Sequence, residues 1–165
     1  MSKKKIQAFE IIIKDILNND KFKKMDNELH HGLTRYNHSL RVAKTTYKCT
    51  KALGLDYVSA TRAALLHDFY INTDFPKNLP IIKLSNHPTI ALKNAKTYYD
   101  ISKKEENIII SHMFPFCYVA PKYLESWVVS LVDKSVAIYE MYRYKLSLVL
   151  TIWIMFLFNM ITLNK

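Results

Sequence analysis

The sequence predicts an all-α protein, a compact helical bundle followed by one further hydrophobic helix. Glycine occurs only twice, at Gly32 and Gly54, in 165 residues. Neither G-x-G-x-x-G nor a P-loop pattern is present, so the glycine turns of parallel-sheet nucleotide folds are missing. Apolar residues instead recur at three- and four-residue steps over long segments, the period of helices packed on one core.

The elements follow in order. Ile6, Phe9, Ile13 and Ile16 mark one face of an amphipathic helix over 4–19, ended by Asn18, Asn19 and Asp20. Residues 21–34 are polar, carry His30, His31 and Gly32, and suit a loop or short helix. A long helix is expected from Tyr36 to Leu53, with Leu40, Ala43, Tyr47 and Thr50 on one face and Gly54 as its stop. Asp56 can cap the next helix, which runs to His67 or Tyr70. Two prolines make Asn72 to Pro80 turn-rich. His87-Pro88 is expected to open a helix reaching Tyr99, because proline is tolerated in a first turn. Another helix covers 102–113 and stops before Pro115; the last helix of the bundle starts at Pro121 and runs to Tyr144.

Residues 146–163, LSLVLTIWIMFLFNMITL, hold no charged residue, which is at the lower limit for a membrane span. A helix apolar all round must be buried in lipid or protein. A membrane anchor is the preferred reading. The alternatives are a core helix of the soluble domain or of a homodimer. Arg143 and Lys145 precede the tract, so the positive-inside trend places the preceding domain at the inner, cytoplasmic face of the membrane. The expected organisation is an amphipathic helix and linker over 1–26, a main domain over 27–145, and the hydrophobic helix over 146–163.

The formal net charge is +10. It suits a phosphorylated substrate or an anionic membrane. No aromatic-basic binding signature accompanies it, so a nucleic-acid partner is not expected. Cys49 and Cys117 are far apart and have no C-x-x-C companion, as for buried thiols of a reducing compartment. The start MSKKKIQAFE has no apolar run of signal-peptide length.

The chemistry-bearing residues are histidines and acids. His38, His67, His87 and His112 fall at expected helix ends or starts, and Asp68 follows His67 directly. Asp133 interrupts the apolar run WVVSLVD, where an unpaired carboxylate would be costly. Imidazole and carboxylate ligands suit a divalent transition metal: iron, manganese, zinc or cobalt. Two such ions about 3.5–4 Å apart can share a hydroxide and clamp a phosphoryl oxygen.

The order His38, His67-Asp68, His87, His112, Asp133 resembles the HD-domain superfamily of metal-dependent phosphohydrolases, in its two-metal branch. The likeness extends to TRYNHSLRVA, LGLDYVSATRAALLHDFY, NHPTIALKNA, IIISHMFPF and ESWVVSLVDKSVAIYE, roughly residues 27–142. It implies an HD-type helical bundle binding one or two ions. His38, His67, Asp68 and Asp133 would form the primary site and His87 and His112 would complete a second, with Asp68 bridging and counted as a catalytic residue. The implied activity is hydrolysis of a phosphate ester or anhydride, a nucleotide being the expected substrate, with metal-bound hydroxide as nucleophile. Many relatives place glycine and lysine soon after the HD pair, whereas this chain has Phe69, Tyr70 and Ile71. Lys134 and Arg35 are the replacements expected to handle phosphate, Lys134 also in catalysis, and His31 is a further candidate for substrate contact. The departure leaves a second reading open: a catalytically degenerate HD-fold module that binds or regulates at the membrane.

Overall fold

A computed structural model describes residues 3–27, 29–30, 33–75 and 82–163, with burial and side-chain contacts for 9–27, 33–75 and 86–155. The fold is all-α. Helix α1 (Lys3–Leu17) buries Phe9, Ile13 and Ile16, as their spacing dictates, in the same core as the helices that follow. The Asn19 side chain accepts from the backbone N–H groups of Lys21 and Phe22 and so caps a short helix, α2 (Asp20–Lys24). A 3-10 turn (Met25–Asn27) follows, then a two-residue antiparallel ladder pairing Leu29 with Thr34 and His30 with Leu33. This polar stretch still sends two fully buried side chains, Phe22 and Met25, into the core.

Helix α3 (Arg35–Ala52) starts at Thr34, whose hydroxyl accepts from the Asn37 N–H, and is followed by Gly54 at φ 68°. Helix α4 (Tyr57–Leu66) is capped by Asp56 through the Ser59 N–H, as expected, and is central to the bundle. Ala60, Ala63 and Ala64 are fully buried, and these short side chains let α3 pack closely against it. Helices α6 (Lys103–Ser111) and α7 (Leu124–Leu163) pack on the same centre. A reciprocal Ser102–Glu105 capping box starts α6.

Helix α5 (Ile82–Tyr98) corrects an expectation. It starts five residues before His87, so Pro88 lies inside the helix and not in its first turn. Proline lacks the N–H that would bond the carbonyl four residues back, and the helix tolerates that single loss near its amino end. His87 is therefore presented from within a helix. The segment between α4 and α5 is pinned from both sides. Lys21 Nζ meets Asp74 Oδ1 at 2.8 Å, and Asn94 Nδ2 donates to Asp74 Oδ2 (2.9 Å) and to the Phe69 carbonyl (2.9 Å).

Helix α7 is 40 residues long, about 60 Å at the usual rise, and outlasts the bundle. Glu140 is its last buried residue among those described; positions 141–155 are all exposed. Leu146, Leu150, Trp153 and Met155 are more than two-fifths exposed, so this part of the hydrophobic tract is not a core helix of its own domain. Among the described residues, no helix is long and apolar enough to cross a membrane. The side chains of 156–163, the second half of the tract, lie outside the described residues.

Gly54 offers a test of the α3 stop. Nothing lies within 4 Å of an added Cβ there, so only its left-handed backbone opposes substitution. Gly54→Ala should lower the unfolding free energy by about 1 kcal/mol, read from urea midpoints, and Gly54→Asn by less.

Candidate metal centre

Two of the histidines are built the same way. His67 is the C-cap of α4 and His112 the C-cap of α6. Each donates its Nδ1–H to the carbonyl three residues back: His67 to Ala64 and His112 to Ile109, both at 2.7 Å. The bond satisfies a carbonyl that the helix end leaves open. It also fixes the ring orientation, so each Nε2 points away from its helix towards the cluster, a ligand atom once it is unprotonated. His38 comes from the first turn of α3, His87 from α5, Asp68 from the turn after α4 and Asp133 from α7.

The six side chains meet. Asp133 Oδ1 lies 3.1 Å from His38 Nε2 and 3.4 Å from His67 Nε2. Asp68 divides its oxygens. Oδ2 faces His67 Nε2 at 3.6 Å, while Oδ1 faces His87 Nε2 at 3.4 Å and His112 Nε2 at 3.6 Å. His87 Nε2 and His112 Nε2 are 3.0 Å apart. Three overlapping trios lie within metal-binding reach: His38–His67–Asp68, His67–His112–Asp133 and Asp68–His87–His112. All six residues are buried.

The electrostatics call for a cation. Burial alone would depress His38, but its hydrogen bonds to Asp133 and Glu140 raise its pKa to about 10. His67 is likewise raised by Asp68 and Asp133 against the effect of burial. Burial and the neighbouring His67 charge push His112 down to about 3, so it stays neutral. Burial would lift Asp133, yet the hydrogen bond with His38 and the neighbouring His67 imidazole hold it well below the usual carboxylate range. His67 Nε2 is fully buried and makes no hydrogen bond. Two imidazole lone pairs at the His87–His112 separation repel unless a proton or a metal ion lies between them. Two carboxylates and inward-facing imidazoles therefore fit divalent ions well, and the donor set is that of a transition metal.

The other expected residues stand around this cluster. Arg35 is buried; its guanidinium stacks on the Tyr70 ring at 4.0 Å and donates to the Tyr70 carbonyl at 3.2 Å. The Tyr70 ring in turn lies 5.5 Å from that of His87. Lys134 donates to the His112 carbonyl (2.9 Å) and to Ser130 Oγ (2.7 Å), and burial depresses its ammonium below the usual lysine range. Lys134 thus holds the main chain of His112 itself, and Arg35 that of Tyr70, whose ring neighbours His87. His31 lies outside the described residues.

Sequence reasoning missed Glu140. Its carboxylate is fully buried and accepts the Nδ1–H of His38 at 2.7 Å. The available signal was its spacing, seven residues and two helical turns beyond Asp133 on the same face.

A six-residue histidine–aspartate cluster where the helices of an all-α bundle converge defines a candidate metal-dependent hydrolase centre. The family profile of the HD domain matches residues 35–138, a span that takes in all six, and the chain belongs to the HD-domain family. No curated protein and no solved structure matches the chain.

Three perturbed histidines shape a pH profile for metal-free protein, with His67 acting in the same sense as His38. His38 is raised from 6.5 to about 10, so its contribution is full below pH 6.5 and is lost as pH climbs through 10. His112 is lowered from 6.5 to about 3, so its contribution is full above pH 6.5 and is lost as pH falls towards 3. In excess chelator, melting temperature should peak near pH 6.5 and decline on both sides. Added Mn2+ should flatten the alkaline side, because His38 then no longer needs its Nε2 proton.

Proposed function

We propose that this chain is a phosphohydrolase that cleaves a phosphate ester or anhydride of a small molecule, a nucleotide being the preferred class. The observation that carries the reading is the division of Asp68. One oxygen faces His67, on the Asp133 side, and the other faces His87 and His112. That is the disposition of a carboxylate shared between two adjacent ions. His38, His67 and Asp133 would hold the first ion, and His87 and His112 the second. When bound, divalent ions supply Lewis acidity and an activated water at neutral pH.

The chain's own groups do the rest. The backbone carbonyls of Ala64 and Ile109 hold the rings of His67 and His112 in orientation. Lys134 fixes the main chain at His112 and lends positive charge beside the cluster, where a phosphoryl group would gather negative charge. Arg35 steadies Tyr70 against His87. The net charge of +10 favours encounter with an anionic substrate.

Elemental analysis tests this reading. Purified protein should carry about two transition-metal ions per chain, and His67→Ala with Asp68→Ala should remove them. Loaded protein should then hydrolyse some member of a panel of nucleotides and dinucleoside polyphosphates, with turnover lost in the double variant. One observation favours a degenerate module instead: Arg35 and Lys134 are both engaged by main-chain carbonyls. Stoichiometric metal with nucleotide binding and no turnover would establish that alternative.

The exposed apolar part of α7 supports membrane attachment, with the bundle at the cytoplasmic face and Arg143 and Lys145 at the lipid boundary. Full-length protein should sediment with membranes and resist alkaline carbonate, whereas a chain ending at Lys145 should be soluble and retain its metal. Detergent-free solubility of the full chain, with a homodimer in solution, would instead assign this helix to a contact between two copies.

A further inference from the structure

We propose that Glu140 is a positioning residue of the metal centre. It holds His38 in the Nδ1–H form and strengthens its Nε2 as a ligand. This deepens the metal-centre reading above and rests on it.

The geometry is a two-by-two grid between neighbouring helices. Helix α3 contributes His38 and, one turn on, Arg41. Helix α7 contributes Asp133 and, two turns on, Glu140. The His38 ring spans the two carboxylates, with Nε2 3.1 Å from Asp133 Oδ1 and Nδ1 2.7 Å from Glu140 Oε2. Arg41 reaches the other Glu140 oxygen at 3.4 Å and partly balances its charge.

His38 differs from His67 and His112 in how it is oriented. Those two are held by the carbonyls of their own helices. His38 lies in the first turn of its helix, and a side chain from another helix holds its Nδ1–H. An ionised acceptor makes the imidazole a better donor to a metal than a carbonyl does, and such outer partners are worth about 10–100-fold in metal affinity.

A purely structural role fits poorly. The Glu140 side chain is 0% exposed, and its Oε1 makes no hydrogen bond. Its cationic neighbour Arg41 is 41% exposed, so the ion pair is partly screened. A buried carboxylate in this setting is a weak source of stability compared with an apolar side chain of similar volume.

The test is Co2+ titration of chelator-treated full-length protein in detergent, followed by visible absorption, for wild type, Glu140→Gln and Glu140→Met. Wild type should bind tightly. Glu140→Met should weaken the tightest site by about 10–100-fold while the metal-free protein melts no lower than wild type. Glu140→Gln should fall between them, because its amide oxygen still accepts the Nδ1–H but carries no charge. Unchanged Co2+ affinity in both variants overturns the proposal, as does equal weakening in both together with a loss of metal-free stability. If Glu140→Met does not fold, the near-isosteric Glu140→Gln decides alone, and wild-type affinity in it overturns the proposal. Wild-type protein that takes up no Co2+ overturns the metal-centre reading as well, which separates the two failures.

Discussion

The bundle depends on the compensation of two buried carboxylates. Asp68 and Asp133 sit in a space from which water is largely excluded, and each ionised group there would cost several kcal/mol if left alone. Four imidazoles surround them, two from helix ends, His38 from the first turn of α3 and His87 from within α5. Helices α4 and α6 each stop at a histidine that caps its own helix and faces the acids. Further out, Asn94, Asp74 and Lys21 fasten the segment that follows the HD pair, so the Asp68 turn is braced from α2 and α5 together.

Much of this was legible in the sequence, for identifiable reasons. Strong helix signals act locally: Asp56 and Gly54 bound their helices as expected, and Phe9, Ile13 and Ile16 face the core. The six metal-binding candidates were legible because their order along the chain is distinctive. Pro88 misled because proline marks a helix start only by preference, and the turns ahead of it extend the helix backwards. The polar look of 21–34 hid Phe22 and Met25, since two buried side chains suffice to anchor a short segment whose other residues are charged.

What stayed hidden depends on contacts between distant segments. The spacing from Asp133 puts Glu140 on the same face of α7, but only the packing of α3 against α7 pairs it with His38, 102 residues away. Arg35 and Lys134 could be singled out as cations near the ligands, but not their engagement with main-chain carbonyls, since that depends on where Tyr70 and His112 place their backbones. The protein joins an acidic pocket to a strongly basic whole. Anions can be drawn in by the overall charge, while Arg35 and Lys134, the cations described beside the centre, are engaged by main-chain carbonyls, which leaves a part of the charge balance to the ions the pocket could hold.

Helix α7 runs without interruption from the bundle into the hydrophobic tract. From Asp133 to Leu146 is about 20 Å along a straight helix. Were the tract seated in lipid, as proposed, that rod would act as a ruler and a keel at once. The metal-binding pocket would then stay at one height above the bilayer and keep one heading, because α7 runs unbroken between the two. Substrates would be met from a fixed side, and a molecule freed at or near the membrane surface would be better placed to enter than one arriving from the bulk.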